Sequence, residues 1–111
     1  MKQEPLDLKT LTSLFGDDLD TQKAILDEYS RSLSAYRREF DVAIEARSAE
    51  GVQAVAHKMK SSSRTVGAIP LANLCDVLEL AGKHADWEKI ESSTPVFVVL
   101  IQDVRTCIAE T

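Results

Sequence analysis

The sequence predicts an all-α protein, an antiparallel four-helix bundle with a short additional N-terminal helix. Three observations carry that expectation. Four glycines and three prolines in 111 residues are too few for an all-β chain, which needs a turn about every ten residues. Apolar residues recur at steps of three and four along most of the chain. The one segment that reads as a strand has no second strand to pair with.

The length suits one domain, 1–111, with a single core. Aromatic residues are only 5% of the chain, so that core must be built mainly from Leu, Ile, Val and Ala. Asp7 can cap a short helix, LKTLTSLFG, that ends at Gly16 with Leu8, Leu11 and Leu14/Phe15 on one side. FGDD then leads into a long helix over 20–46, whose face is Ile25, Tyr29, Leu33, Tyr36, Phe40 and Ile44. Ser48, with Gly51 three residues on, is an imperfect cap for a helix ending near Gly67. The next helix, over 69–84, tolerates Pro70 in its first turn and carries the stripe Leu71, Leu74, Cys75, Leu78 and Ala81. The last helix is expected to start at Pro95, with Ser93 or Thr94 as cap. PVFVVLI is β-branched enough for a buried strand, but Phe97, Leu100, Ile101, Val104 and Ile108 continue one helical stripe.

Thirteen basic and eighteen acidic residues give a net charge of −5, the wrong sign for a general nucleic-acid binder. Cys75 and Cys107 form no CxxC pair and suggest neither a zinc site nor a disulfide framework; burial in a reducing compartment is expected of both. MKQEPLDLKT has no apolar run for a signal peptide, and PVFVVLI is too short to span a bilayer. A cytosolic chain without membrane contact is expected.

VAHKMKSSSRTVGA, residues 55–68, concentrates the chemistry. It places a histidine among two lysines, three serines and an arginine, with no acidic residue in the run. A catalytic histidine usually has a carboxylate nearby, and a metal ligand usually has partners at helical spacing. His57 has neither within its own segment. At about 100° per residue, Val52, Val55, Met59 and Val66 fall opposite His57, whereas Glu50, Gln53, Ala54, Lys60, Ser61 and Arg64 surround it. His57 is thereby excluded from the core and centred on a solvated face. Lys60, Ser61 and Arg64 lie within reach of anything attached to its ring. A phosphoryl group there carries roughly two negative charges, which ammonium and hydroxyl donors stabilise.

The segment AHKMKSSSRTVGAIPLANLCDVLE resembles the motif of histidine-containing phosphotransfer (HPt) domains of bacterial multistep phosphorelays. The matched positions are His57, Met59, Lys60, Ser63, Val66, Gly67, Ala68, Leu71, Cys75, Leu78 and Glu79. Ser61 departs from the family, which usually has Gly there. LFGDD also resembles the family's N-terminal region, so the resemblance covers essentially the whole chain.

The resemblance implies a phosphoryl carrier rather than an enzyme in the usual sense. His57 would accept the group from a receiver-domain aspartate and pass it to another receiver, with Lys60 supplying part of the compensating charge. Partners would be response-regulator receiver domains and a sensor histidine kinase, separate or in the same parent chain. Gln53, Ala54, Lys58, Ser61 and Arg64 would form the docking surface of a monomer. No cofactor of its own is expected, because the receiver brings Mg²⁺ and the sequence has no P-loop for ATP. The chain suits a free-standing protein or the cytoplasmic C-terminal module of a membrane-bound sensor kinase. The rival is an HPt-like bundle that only docks a partner; retention of both His57 and Lys60 argues against it.

Other candidates have simpler readings. His84, beside Lys83, suits a helix C-terminus through the helix dipole. Trp87 is expected in the following loop, packed over the bundle end. The serine run 61–63 reads as small residues that let a partner approach. A DNA-associated or dimerisation bundle is disfavoured by the charge and by the lack of a long heptad run.

Overall fold

The computed structural model describes residues 4–110, all of whose regular elements are helices. They are α1 (Leu8–Phe15), α2 (Leu19–Glu45), α3 (Ala49–Val66), α4 (Ile69–Lys83) and α5 (Trp87–Ala109). Caps written in the sequence set most boundaries. The Asp7 carboxylate accepts from the Lys9 backbone N–H, Asp18 from those of Asp20 and Thr21, and Ser48 Oγ from that of Gly51. Each satisfies a donor that the first helical turn leaves without a partner.

α2 packs on α3, α3 on α4 and α4 on α5, and contacts between α5 and α2 close the ring. The stripe residues fill it. Leu33 and Phe40 of α2 are buried with Val52 and Met59 of α3, Leu71, Cys75 and Leu78 of α4, and Phe97, Ile101 and Val104 of α5. Phe40 and Phe97 meet with ring centroids 4.4 Å apart, joining the first and last helices of the ring. α1 covers α2 and α3 through Leu11. Leu8 and Leu14, expected beside Leu11, are exposed instead. Leu6, ahead of the helix, is buried in their place, because the chain before α1 is drawn onto the bundle by the Asp7 N–H donating to the Gly67 carbonyl at 2.7 Å.

Two glycines permit close approaches that position the site. Gly67 ends α3 with φ 83°, a left-handed conformation that costs glycine little. A Cβ there would also strike the backbone of Asp7. Gly82 lets α4 lie against the α3 backbone, since a Cβ would sit 2.7 Å from Gln53 N and 2.8 Å from Ala49 O.

The expected start of the last helix is wrong by two turns. α5 begins at Trp87, capped by the Asp86 carboxylate accepting from Lys89 N–H, and Pro95 lies inside it. Proline deprives the Glu91 carbonyl of its usual donor. Both residues are on the exposed side, where water can satisfy that carbonyl and the helix continues. Trp87 is accordingly the first residue of α5 and not a loop residue, half-buried against the core. The Arg47 guanidinium lies 4.1 Å from the centre of its ring and pairs with Glu91 at 2.6 Å. Among the described residues no helix is long and apolar enough to cross a membrane.

Candidate functional site

His57 projects from the middle of α3 with its side chain 68% exposed. Val55, Ala56 and Met59 beneath it are buried, so the imidazole stands on a packed platform, as the helical spacing predicts. What the spacing could not supply is its partner. Glu79 of α4 reaches across so that its Oε2 lies 2.9 Å from His57 Nδ1.

The other Glu79 oxygen, Oε1, accepts from Lys60 Nζ, and Asp76 Oδ1 lies 3.3 Å from the same ammonium. One carboxylate therefore holds both the histidine and the lysine. Lys60 is not the freely solvated residue that its place on α3 suggested: its side chain is only 18% exposed. A helical wheel describes one helix, and here α4 covers that flank. The hydrogen bond that Lys60 donates to Glu79, joined by the one to Asp76, holds the Lys60 ammonium above its ordinary value. The Lys60 hydrogen bond, with His57 adding to it, holds the Glu79 carboxyl below the usual carboxylate range despite partial burial.

An ionised carboxylate can only accept hydrogen bonds. His57 Nδ1 is therefore the donor, and in the neutral ring the lone pair lies on Nε2. The absence of an acidic residue from 55–68 was a property of the segment and not of the site. Glu79 was legible only as a motif position; its bond to His57 and the contact of Asp76 with Lys60 were missed.

The proposed docking residues are not equivalent. Ala54, Lys58, Ser61 and Arg64 are exposed, and Gln53 is half-buried. Lys58 is tied to Glu39 of α2 at 2.7 Å. Beside Ala54, α2 and α3 line an open groove of about 690 Å³, with Ala35, Arg38, Glu39, Val42, Ala46 and Gly51 among its lining residues. On the other flank, Gln53, Lys60, Asp76, Glu79, Leu80 and Lys83 line a recess of about 390 Å³.

The serine run divides by depth. Ser61 is exposed, Ser62 Oγ donates to the Met59 carbonyl at 3.2 Å, and Ser63 is fully buried. Ser63 Oγ and the buried Tyr29 hydroxyl are 2.6 Å apart, a hydrogen bond between α3 and α2. Ser63 is thus a core residue and not part of an approach surface. Burial pushes the Cys75 thiol up to about 12, which keeps it protonated in the core; Cys107 is only half-buried. His84 is the exposed C-cap residue of α4. Among the described residues, no three His, Cys, Asp or Glu side chains are grouped to hold a metal ion.

The family model of the Hpt domain matches residues 24–110, and the chain belongs to that family. Hpt domains are phosphotransfer carriers rather than catalytic enzymes, and they interact with receiver domains and kinases of two-component systems. Among solved structures, the crystal structure of histidine-containing phosphotransfer protein B (HptB) from Pseudomonas aeruginosa PAO1 is similar with a TM-score of 0.89. The two are 23% identical over 98% of this chain and 95% of that one, a likeness that shows the fold. No curated protein matches the sequence.

Proposed function

We propose that His57 is the phosphoryl acceptor and donor of a phosphorelay, loaded from an aspartyl phosphate of one receiver domain and unloaded onto the aspartate of another. The observation that carries this reading is the exposed imidazole held through Nδ1 by Glu79, which directs the Nε2 lone pair to the partner. In loading, Nε2 forms the N–P bond as the P–O bond of the aspartyl phosphate breaks. Its electron pair returns to the departing carboxylate. The Nδ1 proton stays on the ring, and the positive charge gained there faces Glu79. Unloading reverses these changes.

Phosphoryl transfer is mostly positioning and charge stabilisation. Glu79 positions the ring, and Lys60, one turn along α3, supplies charge to the phosphoryl oxygens. The docking surface is Ala54, Lys58, Ser61 and Arg64 with the edge of Gln53, extended by the adjoining α2–α3 groove. The Mg²⁺ required for transfer sits with the receiver's aspartate, and this chain works as one cytoplasmic, monomeric HPt domain, 1–111, without a cofactor of its own.

The test is phosphorylation by a phosphorylated receiver. The expected label is acid-labile and base-stable, absent from His57→Gln, with helical circular dichroism unchanged. Label that persists in His57→Gln, or appears on His84, overturns the assignment.

A further inference from the structure

Lys60 is shared between two carboxylates that differ in what else they do. Glu79 also holds His57, and its side chain is 22% exposed. Asp76 is 63% exposed, and Lys60 is its one ion-pair partner among the described residues. Asp76 is therefore dispensable for orienting the imidazole, yet it occupies the cation that the carrier reading assigns to the phosphoryl group.

We propose that Asp76 sets the phosphoryl-transfer potential of His57 by competing with the phosphoryl group for Lys60. This rests on the carrier reading above and adds a regulating residue to the same site. Two effects act in one direction. In the unphosphorylated protein Asp76 attracts Lys60 and stabilises that state. In the phosphorylated protein Asp76 repels the roughly two negative charges on the ring and draws on the ammonium that neutralises them. Both favour handing the group on. Lys83 lines the same recess and makes no ion pair among the described residues, so it offsets part of the local negative charge without changing the direction of the Asp76 effect.

The decisive quantity is the equilibrium constant for phosphoryl exchange between this chain and one fixed receiver, measured at concentrations where the complex is sparse. Between free species, docking cancels. Neutralising Asp76 as Asp76→Asn is expected to shift that constant toward the phosphorylated HPt chain by about threefold to tenfold, as expected of one charge acting on two across partly solvated space. Asp76→Glu, which keeps the charge, should remain near the parent. The Asn effect should shrink at high salt, because Asp76 is exposed and its field is screened. An unchanged constant in Asp76→Asn, or a shift toward the receiver, overturns the proposal while labelling of the parent on His57 leaves the carrier reading standing. A parent chain that takes no label on His57 overturns both.

Discussion

Glu79 Oε2 lies 2.9 Å from His57 Nδ1, a bond between α4 and α3 across 22 residues of sequence. The same carboxylate accepts from Lys60, so the imidazole and its neighbouring cation are oriented by one group. Replacing it with an amide of the same shape separates orientation from packing. Glu79→Gln should slow phosphoryl acceptance by His57 about tenfold, the scale of about 1.4 kcal/mol of lost positioning, with the helical content unchanged. Rapid-quench labelling checks this; an unaltered rate would mean that Glu79 does not position the ring.

The same pair has a defined pH window. Glu79 is held below its ordinary 4.5, so its stabilising contribution is present above 4.5 and fades as pH falls through the lowered folded value. Lys60 is held above its ordinary 10.5, so its contribution is present below 10.5 and fades as pH rises through the raised folded value. The urea-midpoint difference between parent and Glu79→Gln should therefore narrow as pH falls below 4.5. A difference that kept growing below that pH would contradict the assignment.

The buried hydrogen bond between Ser63 and Tyr29 should matter for stability and not for chemistry. Ser63→Ala leaves the Tyr29 hydroxyl without a partner in the core, at a cost of about 1–3 kcal/mol. Adding Tyr29→Phe should cost less than the sum of the single changes, since the second removes the orphaned group. Urea denaturation of the four proteins measures the coupling. Strictly additive losses would show that the bond is energetically idle.

Docking over the His57 face predicts different behaviour at its centre and along its flank. Ser61→Gly should retain transfer and cost up to about 1 kcal/mol of helix stability. Ser61→Glu should block it by placing charge one turn from the imidazole. In the α2–α3 groove, Val42→Glu adds a charge at an exposed valine and should raise the receiver's KM with little change in unfolding midpoint. Transfer by Ser61→Glu at the parent rate would place the receiver on another face.

Arg47 connects the α2–α3 turn to α5 by stacking on Trp87 and pairing with Glu91. Arg47→Ala should cost about 0.5–1 kcal/mol, the worth of an exposed cation–π contact. Arg47→Gly loses the same contacts but relieves a positive φ of 52°, so it should be the more stable variant of the two. The order of their thermal midpoints decides it.

The sequence by itself determined the helical class, the caps at Asp7 and Ser48, the end of α3 at Gly67, and the outward direction of His57. These are local or periodic properties: a cap acts within three residues, and a stripe repeats every three or four. Periodicity could not reveal which side chains arrive from a neighbouring helix. Glu79 and Asp76 reach Lys60 only because Gly82 lets α4 lie close against α3. Ser63, four residues after Met59 and three before Val66, lies on the buried stripe of α3, but its hydroxyl partner Tyr29 arrives from α2. The start of α5 was missed because proline after Ser93 and Thr94 reads as the first turn of a helix, while the cost of placing it in the interior depends on whether water can reach the freed carbonyl. Tertiary structure decided these points because burial and cross-helix contact depend on the distances between elements, which one-helix periodicity does not encode.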